Sequence, residues 1–213
     1  MQFNKKFIFI FSLIAVCFLS ACAEKEKLAD GSELIHKDQF VFAASGEFKP
    51  FSFVNNEDLS MSGFDIEVGE AIAKELGLEP VQKRIKFKGI VEGVKTGRAD
   101  VAVASHTINP QRSKHVSFTT PYYYSGPQIF TRPDSGIETV DDLAGKEVAV
   151  AKGSTYSDTA SKYTDNIKTY DSDITALQAL NSGRHDAVIT DFVTGKNAAK
   201  EGFKIEGRQL IER

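Results

Sequence analysis

Only two cysteines occur among the 213 residues, Cys17 and Cys22, and both precede residue 23. Past that point the chain has no thiol, disulfide or cysteine metal site, so its folded part is held by its core and not by cross-links. A second long apolar run is also missing. Nothing after Leu19 approaches the roughly 20 apolar residues that span a bilayer. There is no basic stripe either: 26 Lys and Arg stand against 29 Asp and Glu, a formal charge of −3, which argues against nucleic acid as a partner. No nucleophile elbow and no paired serine and histidine are found, and the last cysteine lies at residue 22, so catalysis has little to stand on. His106 has no second ligand at helix or hairpin spacing. No metal and no cofactor are expected.

What is present begins with an export pattern. Lys5 and Lys6 precede an apolar run over residues 7–19 broken only by Ser12, the signature of a secretory signal peptide. The run ends in Leu19-Ser20-Ala21-Cys22, which reads as a lipobox. Residues 1–21 are then a signal peptide, and Cys22 carries acyl chains that anchor the protein to the outer face of the cytoplasmic membrane. Residues 22–36, rich in charge and poor in apolar residues, read as a tether. Losing the signal removes two lysines and no acids, taking the charge from −3 to −5.

From residue 37 apolar strands alternate with amphipathic helices. "QFVFAAS" reads as a buried strand. "FDIEVGEAIAKELG" reads as a helix with Asp65 as N-cap and Gly77 as its left-handed stop. "PVQKRIKF" and "ADVAVAS" are strands around the short helix "IVEGVKTG". The pattern restarts with "KEVAVA", "GSTYSDTASKY", "NIKTYD", "ITALQALNSG" and "DAVITD". Such alternation points to an α/β fold with mostly parallel sheet. Residues 91–105 also match residues 177–191: helix, Gly-Arg-x-Asp, apolar strand. The match aligns Gly97, Arg98 and Asp100 with Gly183, Arg184 and Asp186. Two lobes on one plan are expected, 37–124 and 125–213. Ser105 and Asp191 then fall at carboxyl ends of strands, where α/β sheets gather ligands.

In "ASHTINPQR", Asn109-Pro110 reads as a helix start that leaves Arg112 at the third helical position, against the helix dipole. A solvated surface arginine is the plainer reading. A waiting anion explains the placement better, because a guanidinium matches a carboxylate with two parallel hydrogen bonds and the Thr107 hydroxyl adds a donor. Asp191 is the candidate for an ammonium group, or an N-cap for the helix after it. Gly153 offers close backbone approach, with Ser154 and Thr155 at a helix start. Phe48, beside Gly46 and Glu47, is the candidate aromatic face of the cleft. A cation, an acid and an aromatic face describe recognition of a zwitterion and assemble no reaction.

These stretches resemble the amino-acid-binding lipoproteins of ABC importers, with the type 2 periplasmic-binding-protein fold. "FKPFSF", "SGFDIEVGEAIAKELG", "GRADVAVASHTINPQRSKHVSFTTPYYYSG", "LAGKEVAVAKGST" and "ALNSGRHDAVITD" carry the likeness, from about residue 39 to the end. It implies a monomer whose lobes close on an amino acid and deliver it to permease subunits driven by a cytoplasmic ATPase. By the same resemblance Arg112 clamps the ligand carboxylate, with Thr107 and Thr155 as partners. Ala104 and Ser105 lie near the ligand amine, Asp191 holds the ammonium, and Phe48 and Phe87 sandwich the ligand. Ser45 stands where relatives for basic amino acids carry Asp, which points toward another polar ligand, although Glu47 keeps a basic one open. The likeness also implies a return of the chain into the first lobe, whereas this chain stops at "EGRQLIER". Apolar surface is then expected on the first lobe, along faces of its strands or along residues 66–76, with weaker lobe closure. Two other functions fit the same fold: a ligand sensor without transport, and a dehydratase using cleft carboxylates.

Overall fold

The computed structural model describes residues 33–212. The signal segment, the Cys22 anchor and most of the tether lie outside the described residues. The first lobe is built on β1 (Gln39–Ala44), which lies between β5 (Glu79–Arg84) and β6 (Val101–Ala102) with both pairings parallel. Five of the six β1 residues are buried, as expected of a central strand covered on both faces. Helix α1 (Phe64–Glu75) packs on this sheet through Ile66, Gly69 and Ala73. Gly69 is required there, because a Cβ would sit 2.6 Å from the Phe42 ring. The short helix α2 (Ile90–Lys95) covers the same core through Ile90.

Three short strands, β2 (Glu47–Phe48), β3 (Ser52–Val54) and β4 (Met61–Ser62), form an antiparallel flap that the sequence pattern did not announce. The reason is length: strands of two or three residues show no readable alternation. "ADVAVAS" likewise keeps strand pairing only at Val101–Ala102.

The second lobe is a sheet in the order β11-β7-β10-β8-β9, formed by β7 (Pro127–Thr131), β8 (Val148–Ala151), β9 (Ile167–Tyr170), β10 (Ala187–Asp191) and β11 (Glu206–Leu210). Strand β8 pairs in parallel with β9 and β10, while β7 runs antiparallel to both β10 and β11. Neighbouring residues of one strand serve opposite faces. Ile129, Val148, Val150 and Ile189 enter one core, and Phe130, Ala149 and Val188 enter the other. Helices α3 (Tyr156–Ala160), α4 (Asp173–Asn181) and α5 (Phe192–Lys200) cover these faces.

The sequence repeat is a repeat of mechanism. Gly97 and Gly183 end their helices at φ +71° and +82°. Asp100 then accepts from the Val41 N–H at 2.8 Å, and Asp186 accepts from the Glu147 N–H at 2.8 Å. In both lobes one carboxylate ties the incoming strand to the neighbouring strand.

One of two expectations changes. Asp65 is not the N-cap of α1: that place belongs to Gly63, and Asp65 is fully buried one residue inside the helix. The expected apolar surface is present, with Phe64, Ile72 and Leu76 exposed by 40%, 38% and 48% along one side of α1 and its end.

Candidate functional site

Residues 103–112 leave β6 and turn sharply at Ser105, whose φ of 54° is unusual for a residue with a side chain. Asn109 accepts from the Arg112 N–H at 2.8 Å, much as a helix cap would. The chain then makes only a 3-10 turn, Arg112–Lys114. The expectation that Arg112 opposes a helix dipole is therefore corrected, because three residues build almost no macrodipole.

Other groups hold Arg112. Its Nη1 donates to the Thr107 carbonyl at 2.8 Å and its Nη2 to the Gly153 carbonyl at 3.0 Å. The guanidinium carbon lies 5.6 Å from the centre of the Phe87 ring, a cation–π distance. His106 stacks on Phe87 with ring centres 4.2 Å apart. Burial first, then the Arg112 charge, push His106 down to about 3, so the ring is neutral and serves as packing. Burial also lowers Arg112, which nonetheless stays charged. Among the described residues it forms no ion pair.

The second lobe meets this group at Gly153. A Cβ there would lie 3.2 Å from the Cα and Cβ of Lys88, and its φ is +82°, so glycine permits the close approach. Ser154 turns its hydroxyl back to the Ala151 carbonyl at 2.7 Å. Thr155 caps α3 with its backbone only, and its hydroxyl makes no hydrogen bond among the described residues. Two exposed ion pairs, Lys86 with Asp171 and Lys49 with Glu201, also bridge the lobes.

Together these residues enclose a small pocket of about 20 Å³ between the lobes. Phe48, Phe87, Ser105, Thr107 and Arg112 line it from the first lobe, and Ser154 and Thr155 from the second. Three expected residues do not line it. The Ser45 hydroxyl faces Ser52 at 3.3 Å and accepts from the Glu47 N–H at 3.2 Å, so it secures the flap. Ala104 and Asp191 border instead an adjoining groove of about 670 Å³ that shares Ser105, Thr107 and Tyr156 with the pocket. Asp191 caps α5, accepting from the Val193 N–H at 2.8 Å, which is the plainer of its two expected roles.

The sequence pattern left two acids unmarked. Asp173 lines the pocket, is buried, and accepts from the Thr190 hydroxyl at 2.5 Å. Burial and, less strongly, the Asp191 charge raise it to about 6. The signal available was Ser172-x-x-Thr175, a reciprocal cap that puts Asp173 at the first helical position facing the β10 end. Asp65 accepts from Ser105 and Tyr122, and burial raises it also to about 6. Its position in an apparent N-cap motif masked that role.

The profile of bacterial extracellular solute-binding proteins, family 3, matches residues 40–175. The chain belongs to that family. Its two-lobed architecture is that of the type 2 periplasmic binding proteins. The L-cystine-binding protein TcyJ of Escherichia coli (strain K12) is 30% identical over 198 residues, covering 90% of this chain and 74% of the relative. The arginine-bound form of truncated ArgBP from T. maritima superposes with a TM-score of 0.76 at 32% identity, covering 82% of this chain and 84% of that one. The ancestral amino acid-binding protein AncCDT-1, a precursor of cyclohexadienyl dehydratase, gives 0.76 at 30% identity over 82% and 78%. The solute-binding framework is thus shared at matching sequence and structural levels.

Proposed function

We propose that this solute-binding protein captures an amino acid between its lobes, outside the cytoplasmic membrane, for an ABC-type importer. The observation that carries the reading is the Arg112 guanidinium, set at the lobe junction beside an aromatic ring, without a salt bridge among the described residues, and bonded to two backbone carbonyls. A ligand carboxylate would replace those carbonyls with two charge-assisted bonds, a stronger pairing than neutral acceptors give. The pocket is smaller than an amino acid, so entry requires the lobes to part and the Arg112–Gly153 bond to open. The Thr155 hydroxyl and the backbone at Ser105 supply further polar contacts, and Phe48 and Phe87 supply apolar faces. Asp191, which borders the adjoining groove, is the acid proposed for the ligand ammonium.

Cys22 is proposed as the lipid anchor, and permease subunits with their ATPase as the partners of the liganded monomer. Cystine and arginine, for which two of the relatives are named, are the first ligands to test. A dehydratase on the same fold is the second reading, favoured by Asp173, the extra buried acid in the pocket. A thermal-shift screen against the amino acids and cystine tests the first reading, since a ligand that binds only the folded chain raises its melting temperature. No shift with any of them would remove it.

A further inference from the structure

Helix α1, the turn after β6 and the connection between the lobes meet at one fully buried carboxylate, Asp65. The Ser105 hydroxyl donates to both of its oxygens, at 2.9 and 2.8 Å. The Tyr122 hydroxyl donates to Oδ1 at 2.7 Å and itself accepts from the Ser105 N–H at 2.9 Å. The three residues form a closed triangle. Tyr122 lies four residues before Gly126, whose carbonyl accepts from the Phe192 N–H in the second lobe at 3.1 Å.

The triangle explains how Ser105 keeps a φ of 54°, a conformation that costs a residue with a Cβ of order 1 kcal/mol or more. Both of its donors are engaged, and its carbonyl makes no hydrogen bond among the described residues. The turn therefore offers the cleft an acceptor and no donor. Among the described residues Asp65 has no cationic neighbour, and its side-chain partners are two hydroxyls. A buried carboxylate stabilised only by hydroxyls is expensive as a packing element. An apolar side chain would fill the space at lower cost, so the choice of acid calls for a use.

We propose that Asp65 is a positioning residue: it locks the Ser105 turn in its ligand-facing conformation and joins that turn to the lobe connection through Tyr122. This rests on the amino-acid-binding reading of the cleft. Replacing Asp65 by Asn keeps the volume but puts an N–H₂ donor where Oδ2 accepts from Ser105, while the remaining oxygen can serve both hydroxyls. The Ser105 hydroxyl then keeps one acceptor in place of two, and the turn loses a restraint. Protonation of Asp65 has the same consequence. The titratable groups facing it are Tyr122, which burial keeps a phenol, and, beyond Ser105, His106, which stays neutral. Asp173, in the other lobe, is the second carboxyl that changes state in the same range.

The test combines Asp65→Asn, Tyr122→Phe and the double variant, titrated with L-arginine and separately with L-cystine between pH 5 and 8. Each single change is expected to weaken binding about tenfold to a hundredfold, the range for losing a buried hydrogen bond to a charged group. The double variant should lose much less than the product, because both changes open one triangle. Affinity of the parent and of Asp173→Asn should fall as pH drops through about 6, and that fall should be absent in Asp65→Asn. Parental affinity and an unchanged pH profile in Asp65→Asn would overturn the proposal. Should Asp65→Asn fail to fold, Tyr122→Phe carries the test, and parental affinity in it overturns the idea equally. Amide exchange at Ser105 in ligand-free protein separates this inference from the binding reading. Faster exchange in Tyr122→Phe supports the triangle even if neither ligand binds, and unchanged exchange removes it.

Discussion

The Arg112 guanidinium, rooted in one lobe, donates to the Gly153 carbonyl of the other at 3.0 Å. That bond is the structural centre of the cleft. It shows the lobes in contact through the cation proposed to hold the ligand, and it makes lobe contact and ligand capture alternative uses of the same donors. The residues around it divide into those that allow the approach and those that bind.

Gly153→Ala tests the approach. The new methyl would lie 3.2 Å from Lys88 in a backbone conformation costing about 1–2 kcal/mol for a residue with a Cβ. Affinity for the ligand found in the screen is expected to drop about fivefold to thirtyfold, with the larger part in a faster off-rate, measured by stopped-flow or surface plasmon resonance. Unchanged off-rates would mean that the two loops need not touch in the bound state.

Thr155→Val tests a contact that exists only with ligand. Its hydroxyl makes no hydrogen bond among the described residues, so the melting temperature should stay within a few degrees while affinity falls about threefold to tenfold. A destabilised variant with parental affinity would assign Thr155 to the fold.

The carboxyl of Asp173 gives a pH signature. Burial raises it from 3.8 to about 6 in the folded protein. A carboxyl with a raised folded pKa favours folding at low pH, and that contribution disappears as pH climbs from its unfolded value through the folded one. Asp173→Asn should therefore gain stability relative to the parent between about pH 4 and 7 and then level off, by on the order of 3 kcal/mol. Urea melts at several pH values measure it. A constant difference across that range would place the carboxyl in a wetter setting than its burial indicates.

Much of this molecule was legible in its sequence, for identifiable reasons. Strands β1, β8 and β10 are continuous apolar runs, and the helices between them end at glycines that adopt positive φ, as Gly77, Gly97 and Gly183 do. Seven of the ten proposed binding residues come together around one pocket because they follow the carboxyl ends of β1, β5, β6 and β8. Local signals failed where distant partners decide. "DIEVGE" looks like a capped helix start, and only Ser105 and Tyr122, 40 and 57 residues away, reveal what Asp65 does. Ser45 has the look of a ligand position, yet Ser52 and Glu47 claim its hydroxyl. Strands β7 and β11 run antiparallel to their neighbours, an outcome set by connectivity and not by periodicity.

Packing in the second lobe makes its own demand at Gly195. A Cβ there would fall 2.1 Å from the Phe130 ring, inside any tolerable contact. Gly195→Ala is expected to destabilise the protein by about 1–3 kcal/mol through displacement of α5 from the sheet, read from chemical denaturation. The double change Gly195→Ala with Phe130→Leu should recover part of that loss.

Calorimetric titration of parent and Arg112→Ala with the ligand identified by thermal shift bears most directly on the cleft. The parent is expected to bind one amino acid per chain. Arg112→Ala should lose about a hundredfold or more in affinity while keeping its fold, as removal of the group that pairs with the ligand carboxylate requires. Equal affinity in the two proteins would contradict the assignment of Arg112 to the ligand carboxylate and, with it, this cleft as the binding site.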